Sequence, residues 1–156
     1  MIVYGRPDWG DSMKTVRHIL SAKGSDVYEV APEASVYEAL RIMAAKNVGA
    51  LVVLEAGTLV GIISERDYAR RVILEDRSSL DTPVSHIMTS DVKTVDSTFP
   101  IESCMELMTE SHIRHLPVLE DGELLGVISI GDVVKAIMSY QEHMIQQLEA
   151  YITGRV

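Results

Sequence analysis

The sequence has few of the residues that build disulfide frameworks or stacking surfaces. Cysteine occurs once, at Cys104, which excludes an intrachain disulfide and a zinc site built from cysteines. Aromatic residues make up 5% of the chain, too few for a stacking platform that binds single-stranded nucleic acid. No apolar run approaches the roughly 18 residues of a membrane span, and residues 1–12 do not resemble a signal peptide. We therefore expect a cytoplasmic protein that has no membrane partner.

Basic residues are also scarce. The chain has 14 Lys and Arg against 23 Asp and Glu, which gives a formal charge of −9. This balance argues against binding to a nucleic-acid backbone, although a local cluster of Arg and His can still hold one small anion. Hydrophobic residues make up 47% of 156 residues, enough to form a packed core in one domain or in two small ones.

An internal repeat organises most of the chain. Residues 26–73 align without a gap with residues 91–138 when the sequence is shifted by 65 positions. The clearest match is between Gly61-Ile62-Ile63-Ser64-x-x-Asp67 and Gly126-Val127-Ile128-Ser129-x-x-Asp132. Upstream, Val16-x-His18-Ile19-Leu20 matches Val84-x-His86-Ile87-Met88 with a shift of 68 positions. Two copies are too few for a solenoid, so we expect a pair related by a pseudo-twofold axis that buries a shared face.

Each copy has the pattern of a β-α-β-β-α unit. In the first copy we predict a strand at 26–30, a helix that begins near Val36 and ends at Asn47, a hairpin over 50–64, and a helix that begins after Ser64. In the second copy we predict a strand at 91–95, a helix at 100–111, a hairpin at 115–129 and a helix from 130 onward. The fold class is therefore mixed α/β.

The two ends of the chain lie outside the repeat. Residues 1–12 have no periodicity, which favours a flexible extension. An apolar stripe continues past the second copy and predicts one helix from about Asp132 to Thr153, ended by Gly154. We place the first repeat at 13–79, the second at 80–139 and the C-terminal helix extension at 140–156.

The repeated Gly-hydrophobic-hydrophobic-Ser-x-x-Asp sequence and the order of elements resemble the CBS domain, and two copies in tandem resemble a Bateman module. The resemblance extends from Val16 to Ser139 and includes His115-Leu116-Pro117-Val118. It is closest to short Bateman proteins of the signal-transduction type, which have no attached enzyme. It implies that the protein binds AMP, ADP, ATP or NAD, regulates an effector protein and forms a homodimer.

The repeated motif has two interpretations. As a ligand site, Ser64 and Ser129 donate to a phosphate at a helix N-terminus, while Asp67 and Asp132 accept the ribose hydroxyls. As a structural feature, the same Ser-x-x-Asp spacing satisfies a capping box. The duplication within a Bateman-like frame favours the ligand site.

The resemblance implies that each site takes its opposite wall from the other repeat. Asp67 would then face Arg114 and His115, and Arg66 would add a third cation to a phosphate-binding wall. Asp132 would face Gly49 and Ala50, which suit a flat base. We therefore expect the Asp67 site to prefer the ligand with more phosphate charge.

Further residues are candidates for the base-binding surface. The resemblance implies that the adenine lies on aliphatic side chains and backbone amides. The candidates, which core packing explains equally well, are Val27, Tyr28, Ile63, Val92 and Ile128.

The sequence has no arrangement typical of catalysis. We find no nucleophile–base spacing, no phosphate-binding glycine loop and no His-x-x-x-His metal pair, so we expect neither an enzyme, a catalytic cofactor nor a metal site. The prediction is an adenine-nucleotide sensor. The alternatives are a structural homodimer with unoccupied clefts and a detached regulatory subunit of a nucleotide enzyme, similar to the Bateman insert of IMP dehydrogenase.

Overall fold

The computed structural model describes residues 2–4 and 14–154. In chain order the elements are β1 (Ile2–Tyr4), α1 (Val16–Lys23), β2 (Glu29–Val30), α2 (Val36–Lys46), β3 (Ala50–Glu55), β4 (Thr58–Ser64), α3 (Glu65–Tyr68), a π-helical turn (Ala69–Ile73), a 3-10 turn (Val84–His86), β5 (Lys93–Val95), α4 (Ile101–Ser111), β6 (His115–Glu120), β7 (Glu123–Ser129) and α5 (Ile130–Ile152). The mixed α/β class and the two β-α-β-β-α repeats are confirmed.

The chain divides into two compact units. The first consists chiefly of residues 26–94, and the second chiefly of residues 14–25, 95–121 and 125–154. One sheet has the strand order β2-β3-β4 and the other has the order β1-β5-β6-β7. In both sheets the strand before the helix runs parallel to the first strand of the hairpin, as Val30 opposite Val53 and Val95 opposite Val118 show. The predicted hairpins are confirmed.

Helix α2 shows how local sequence sets the elements of the first unit. The Ser35 hydroxyl accepts the backbone N–H of Glu38 at 3.1 Å and caps the first turn. Val36, Ala39 and Met43 recur at helical spacing and are all buried, and Asn47 ends the helix in the left-handed conformation.

The core of the second unit contains the single cysteine. Cys104 on α4 is fully buried, as its place in an apolar stripe predicts. Burial and the neighbouring charge of Glu102 raise the pKa of the Cys104 thiol to about 12. The side chain therefore acts as a small hydrophobic residue. The other buried members of this core are Val16, Ile19, Val95, Phe99, Ile101, Leu107, Met108, Leu116, Val118, Ile128 and Val133.

The segment that precedes each repeat in sequence belongs to the compact unit of the other repeat. The backbone N–H of Val16 donates to the carbonyl of Phe99 at 2.9 Å, within the second unit. The equivalent N–H of Val84 donates to the carbonyl of Ala34 at 2.8 Å, within the first unit. The boundaries 13–79 and 80–139 describe the repeats in sequence and stay predictions. The compact units differ from them, because the segment before each repeat belongs to the unit of the other repeat.

The N-terminal segment corrects one expectation. Residues 1–12 were expected to form a flexible extension, but Ile2–Tyr4 form strand β1. A β-branched pair followed by tyrosine favours a strand, and the Thr94 hydroxyl and the Asp96 N–H donate to the carbonyls of Ile2 and Tyr4. Met1 and residues 5–12 of the predicted extension lie outside the described residues.

The helix predicted from about Asp132 to Thr153 is confirmed by α5, which begins two residues earlier, at Ile130. This helix ends at Ile152, with Thr153 as its cap and Gly154 at φ +70°. Across residues 2–4 and 14–154, no helix combines the length and the apolar character needed to cross a membrane.

Candidate functional site

The two Ser-x-x-Asp motifs adopt the same geometry where a hairpin strand enters a helix. In the first motif the Ser64 hydroxyl accepts the N–H of Asp67 at 3.2 Å, and Asp67 Oδ2 accepts the N–H of Ser64 at 2.9 Å. In the second, the Ser129 hydroxyl accepts the N–H of Asp132 at 3.2 Å, and Asp132 Oδ2 accepts the N–H of Ser129 at 2.8 Å. Both motifs are therefore capping boxes.

The capping boxes leave part of each carboxylate available. Within the capping boxes and in the contact with Lys23, the carboxylates of Asp67 and Asp132 use Oδ2, so Oδ1 takes no part in these bonds and can accept from a ligand. Asp67, Asp132, Ser64 and Ser129 are each partly exposed. The structural interpretation of the motif is thus correct, and the ribose and phosphate roles of these residues stay predictions.

Each motif is joined to the start of the hairpin in its own unit. In the first unit the N–H of Glu65 donates to the carbonyl of Gly49 at 3.1 Å, which sets Gly49 and Ala50 beside the motif. In the second unit the N–H of Ile130 donates to the carbonyl of Arg114 at 2.8 Å. Arg114 and His115 therefore neighbour the motif of Asp132, a proximity that the spacing of these residues in the sequence does not indicate.

Lys23 is a residue of the candidate site that the sequence did not predict. It is the last residue of α1, and its ammonium donates to Asp132 Oδ2 at 2.7 Å and to the carbonyl of Val127 at 2.9 Å. The sequence shows a lysine at the end of a linker helix, but only the exchange of segments places it near Asp132. We call Ser129, Asp132, Lys23, Arg114 and His115 the second motif site.

The charges of the second motif site affect one another. Burial alone would raise the pKa of Asp132, but the hydrogen bonds from Lys23 and Ser129 outweigh burial and hold this pKa below its ordinary value. Burial lowers the pKa of His115; the Asp132 carboxylate opposes this change, whereas Lys23 and Arg114 add to it. The structure thus favours an ionised Asp132 next to a neutral His115.

We call Ser64, Asp67, Gly49 and Ala50 the first motif site. Its helix α3 has four residues and continues as a π-helical turn, whereas α5 of the second motif site has 23 residues. The predicted phosphate contact Arg66 is exposed on α3.

Three basic residues, Arg70, Arg71 and Arg77, follow Asp67, and two of them have partners within the protein. The Arg71 guanidinium donates to the carbonyls of Ile87 and Met88 at 2.9 and 3.3 Å. Arg77 pairs with Glu75 at 3.0 Å. These contacts give the two arginines structural partners within the first unit.

The candidate base-binding residues divide by burial. Ile63 and Ile128 are fully buried in the two cores, and Val92 is 3% exposed, so these side chains serve packing. Val27, Tyr28, Gly49 and Ala50 remain partly exposed, and Lys46 Nζ lies 5.5 Å from the Tyr28 ring centroid. A contact between adenine and any of these residues stays a prediction.

A separate pocket lies in the second unit. It has a volume of about 280 Å³ and is lined by Arg17, Leu20, Ser21, Ser25, Ser97, Glu120 and Leu125. The Arg17 guanidinium donates to the Ser97 hydroxyl at 3.0 Å, and that hydroxyl donates to Glu120 at 2.9 Å. Among the described residues, no three His, Cys, Asp or Glu side chains are grouped closely enough to hold a metal ion.

Known proteins resemble this chain over both repeats. A family model described as the CBS domain matches residues 16–74 and again residues 84–139. The chain is 40% identical over 154 residues to the CBS domain-containing protein CBSX3, mitochondrial, of Arabidopsis thaliana, an alignment that covers 93% of this chain and 75% of that protein.

Solved structures share the fold. A structure from Burkholderia ambifaria, described as a signal-transduction protein with CBS domains, is 47% identical with a TM-score of 0.79 and covers 81% of this chain and 95% of that one. A CBS domain protein from Pyrobaculum aerophilum, solved in complex with AMP, is 30% identical with a TM-score of 0.67 and covers 76% of this chain and 88% of that one.

Proposed function

Since the chain belongs to the CBS-domain family, we propose that it is a regulatory module that binds an adenine nucleotide and transmits the bound state to an effector protein. The observation that carries this proposal is the pair of Ser-x-x-Asp motifs, each with one carboxylate oxygen available at a strand–helix junction. The AMP complex of the related Pyrobaculum aerophilum protein supports the ligand class.

The chemistry of the motifs suits a nucleoside phosphate. Oδ1 of Asp67 and of Asp132 can accept ribose hydroxyls. The serine hydroxyls can donate to a phosphate, for which Ser64 would exchange its 3.1 Å hydrogen bond to Asp67 Oδ2. Arg66, Arg114 and His115 are the proposed additional phosphate contacts. The ligand is AMP, ADP, ATP or NAD, and the site acts by binding rather than by catalysis.

The exposed face of α5 supports a second part of the proposal, assembly as a homodimer. Met144, Ile145 and Leu148 are 39%, 56% and 56% exposed, and Ile152 is 80% exposed, so the C-terminal half of α5 presents an apolar stripe. Burying this stripe against a second copy would stabilise the protein by several kcal/mol at ~25 cal/mol per Å². An isologous contact needs no further component.

A homodimer with unoccupied clefts is the alternative function that this stripe favours. We also propose a cytoplasmic location for this chain. The Arabidopsis thaliana relative, by contrast, is described as mitochondrial. Calorimetric titration of the purified chain with AMP, ATP, NAD and S-adenosylmethionine distinguishes a sensor from a purely structural dimer. The sensor predicts saturable binding of at least one adenosine ligand, and failure of all four at millimolar concentration would favour the structural dimer.

A further inference from the structure

We propose that Lys23 selects for a phosphate-bearing ligand at the second motif site. The inference rests on the proposed function, because it states which adenosine derivative this site prefers. Its ground is the position of the Lys23 ammonium, 2.7 Å from Asp132 Oδ2 and 2.9 Å from the Val127 carbonyl oxygen. The proposed ribose acceptor is thus already in contact with a cation.

The backbone holds Lys23 near this site. Val16 and Ile19 bury one face of α1 in the second core, and Leu20 lies against Gly126, where an added Cβ would be 2.9 Å from Leu20 Cδ2. Gly24 follows at φ +88° and ends the helix directly after Lys23. The lysine is therefore positioned by packing along α1 and does not depend on a flexible loop.

The ammonium retains a donor for a ligand. A lysine ammonium has three N–H groups, and two of them donate to Asp132 and Val127. The Lys23 side chain is 36% exposed, so its third donor can reach a phosphate oxygen. Its charge also offsets that of Asp132, which lets a phosphate approach without meeting an uncompensated carboxylate.

The first motif site has a different residue at the corresponding point. With the shift of 68 positions, Lys23 corresponds to Asp91, which is exposed. The carbonyl of Ile62, equivalent to that of Val127, accepts the backbone N–H of Thr89 at 2.9 Å instead of an ammonium. The proposal therefore differs from the expectation based on the sequence, because it assigns the preference for greater phosphate charge to the Asp132 site and not to the Asp67 site.

The alternative role for the contact between Lys23 and Asp132 is a structural ion pair that joins α1 to α5 without selecting a ligand. The two roles differ in what they predict for a neutral ligand. A structural pair acts equally on all ligands of the site, whereas a phosphate-selecting lysine acts on AMP and not on adenosine. Comparing these two ligands therefore isolates the role of the charge.

The test measures AMP and adenosine affinities by calorimetry in the native chain and in Lys23→Gln, Lys23→Arg and Lys14→Gln. Lys14 is an exposed lysine of the same unit and provides a matched loss of charge. Each protein is also titrated with Asp67→Asn present, so that the second motif site dominates the signal. Lys23→Gln is expected to lower AMP affinity about tenfold and adenosine affinity less than twofold, while Lys23→Arg and Lys14→Gln retain the native preference.

Two results would contradict different claims. If the native chain binds AMP but Lys23→Gln changes both affinities equally, or changes neither, the selecting role of Lys23 is wrong and the proposed function stands. If the native chain binds neither of these ligands and none of ADP, ATP and NAD, the proposed function itself is wrong. Thermal unfolding of each variant confirms that a lost affinity is not a loss of folded protein.

Discussion

A Cβ added to Gly61 would lie 3.1 Å from the carbonyl oxygen of Thr89 and closer still to the Met88 side chain. Two backbone hydrogen bonds hold β4 close to the segment after the 3-10 turn. The N–H of Ile62 donates to Thr89 O at 3.0 Å, and the N–H of Thr89 donates to Ile62 O at 2.9 Å. Glycine in the Gly-x-x-Ser motif thus has a packing reason that is independent of any ligand.

Gly61→Ala is therefore expected to destabilise the protein by about 1–3 kcal/mol, because a backbone carbonyl cannot move as easily as a side-chain end. Urea unfolding measures the change. Gly131→Ala is the matched control, since its Cβ would meet only the Ser129 Oγ at 3.7 Å within a helix. That variant should be stabilised by about 0.5–1 kcal/mol, and equal losses in both variants would contradict the packing argument.

Acidification is expected to destabilise the second unit through His115. The pKa of His115 is lowered in the fold, mainly by burial, so the unfolded chain binds more protons as the pH falls. The stabilisation that neutral His115 contributes is complete above pH 6.5, the ordinary pKa of histidine. It decreases as the pH falls from there through the lowered pKa of the folded protein.

Urea unfolding at pH 7.5 and pH 5.5 measures this effect. Between pH 7.5 and pH 5.5, His115→Gln should lose less free energy of unfolding than the native chain. His143→Gln, at an exposed position of α5, should lose as much as the native chain. An unchanged loss in His115→Gln would show that other groups cause the acid sensitivity.

Cys104 is expected to be unreactive in the folded protein. The thiol is fully buried and its pKa is raised to about 12, so almost no thiolate is present near pH 8. Labelling with iodoacetamide at pH 8, followed by mass spectrometry, should modify the chain in 6 M urea and leave it unmodified without urea. Rapid labelling of the native chain would contradict the burial of this residue.

The apolar stripe of α5 is expected to form the interface of the proposed homodimer. Leu148→Asp places a charge on the stripe at a residue that is 56% exposed in the single chain, so it should shift sedimentation from dimer to monomer. Gln146→Asp introduces the same charge at a polar position of the helix and should leave the dimer intact. A native chain that sediments as a monomer of 17.2 kDa would contradict the dimer.

The local elements were predictable because each has a local cause. The apolar spacing of Val36, Ala39 and Met43 defines α2, and turn residues between apolar runs define both hairpins. The capping boxes of Ser64 and Ser129 also depend only on residues within one helical turn.

The packing partners of the segments that precede each repeat, such as α1, were not predictable in the same way. The periodicity of α1 shows that Val16 and Ile19 are buried, but it does not show which core buries them. The position of Lys23 follows from that choice, so its contact with Asp132 could not be read from spacing. The π-helical turn Ala69–Ile73 likewise has no pattern in the sequence that distinguishes it from an α-helix.

The most direct test of the central claim is a calorimetric titration of AMP into the native chain and into the double variant Asp67→Ala, Asp132→Ala. Removing carboxylates that accept ribose hydroxyls should cost about 1.5–3 kcal/mol of binding, provided that circular dichroism shows the variant folded. We predict saturable binding to the native chain and at least a tenfold loss in the double variant. Equal affinity in the two proteins would contradict the assignment of the Ser-x-x-Asp motifs as the nucleotide sites.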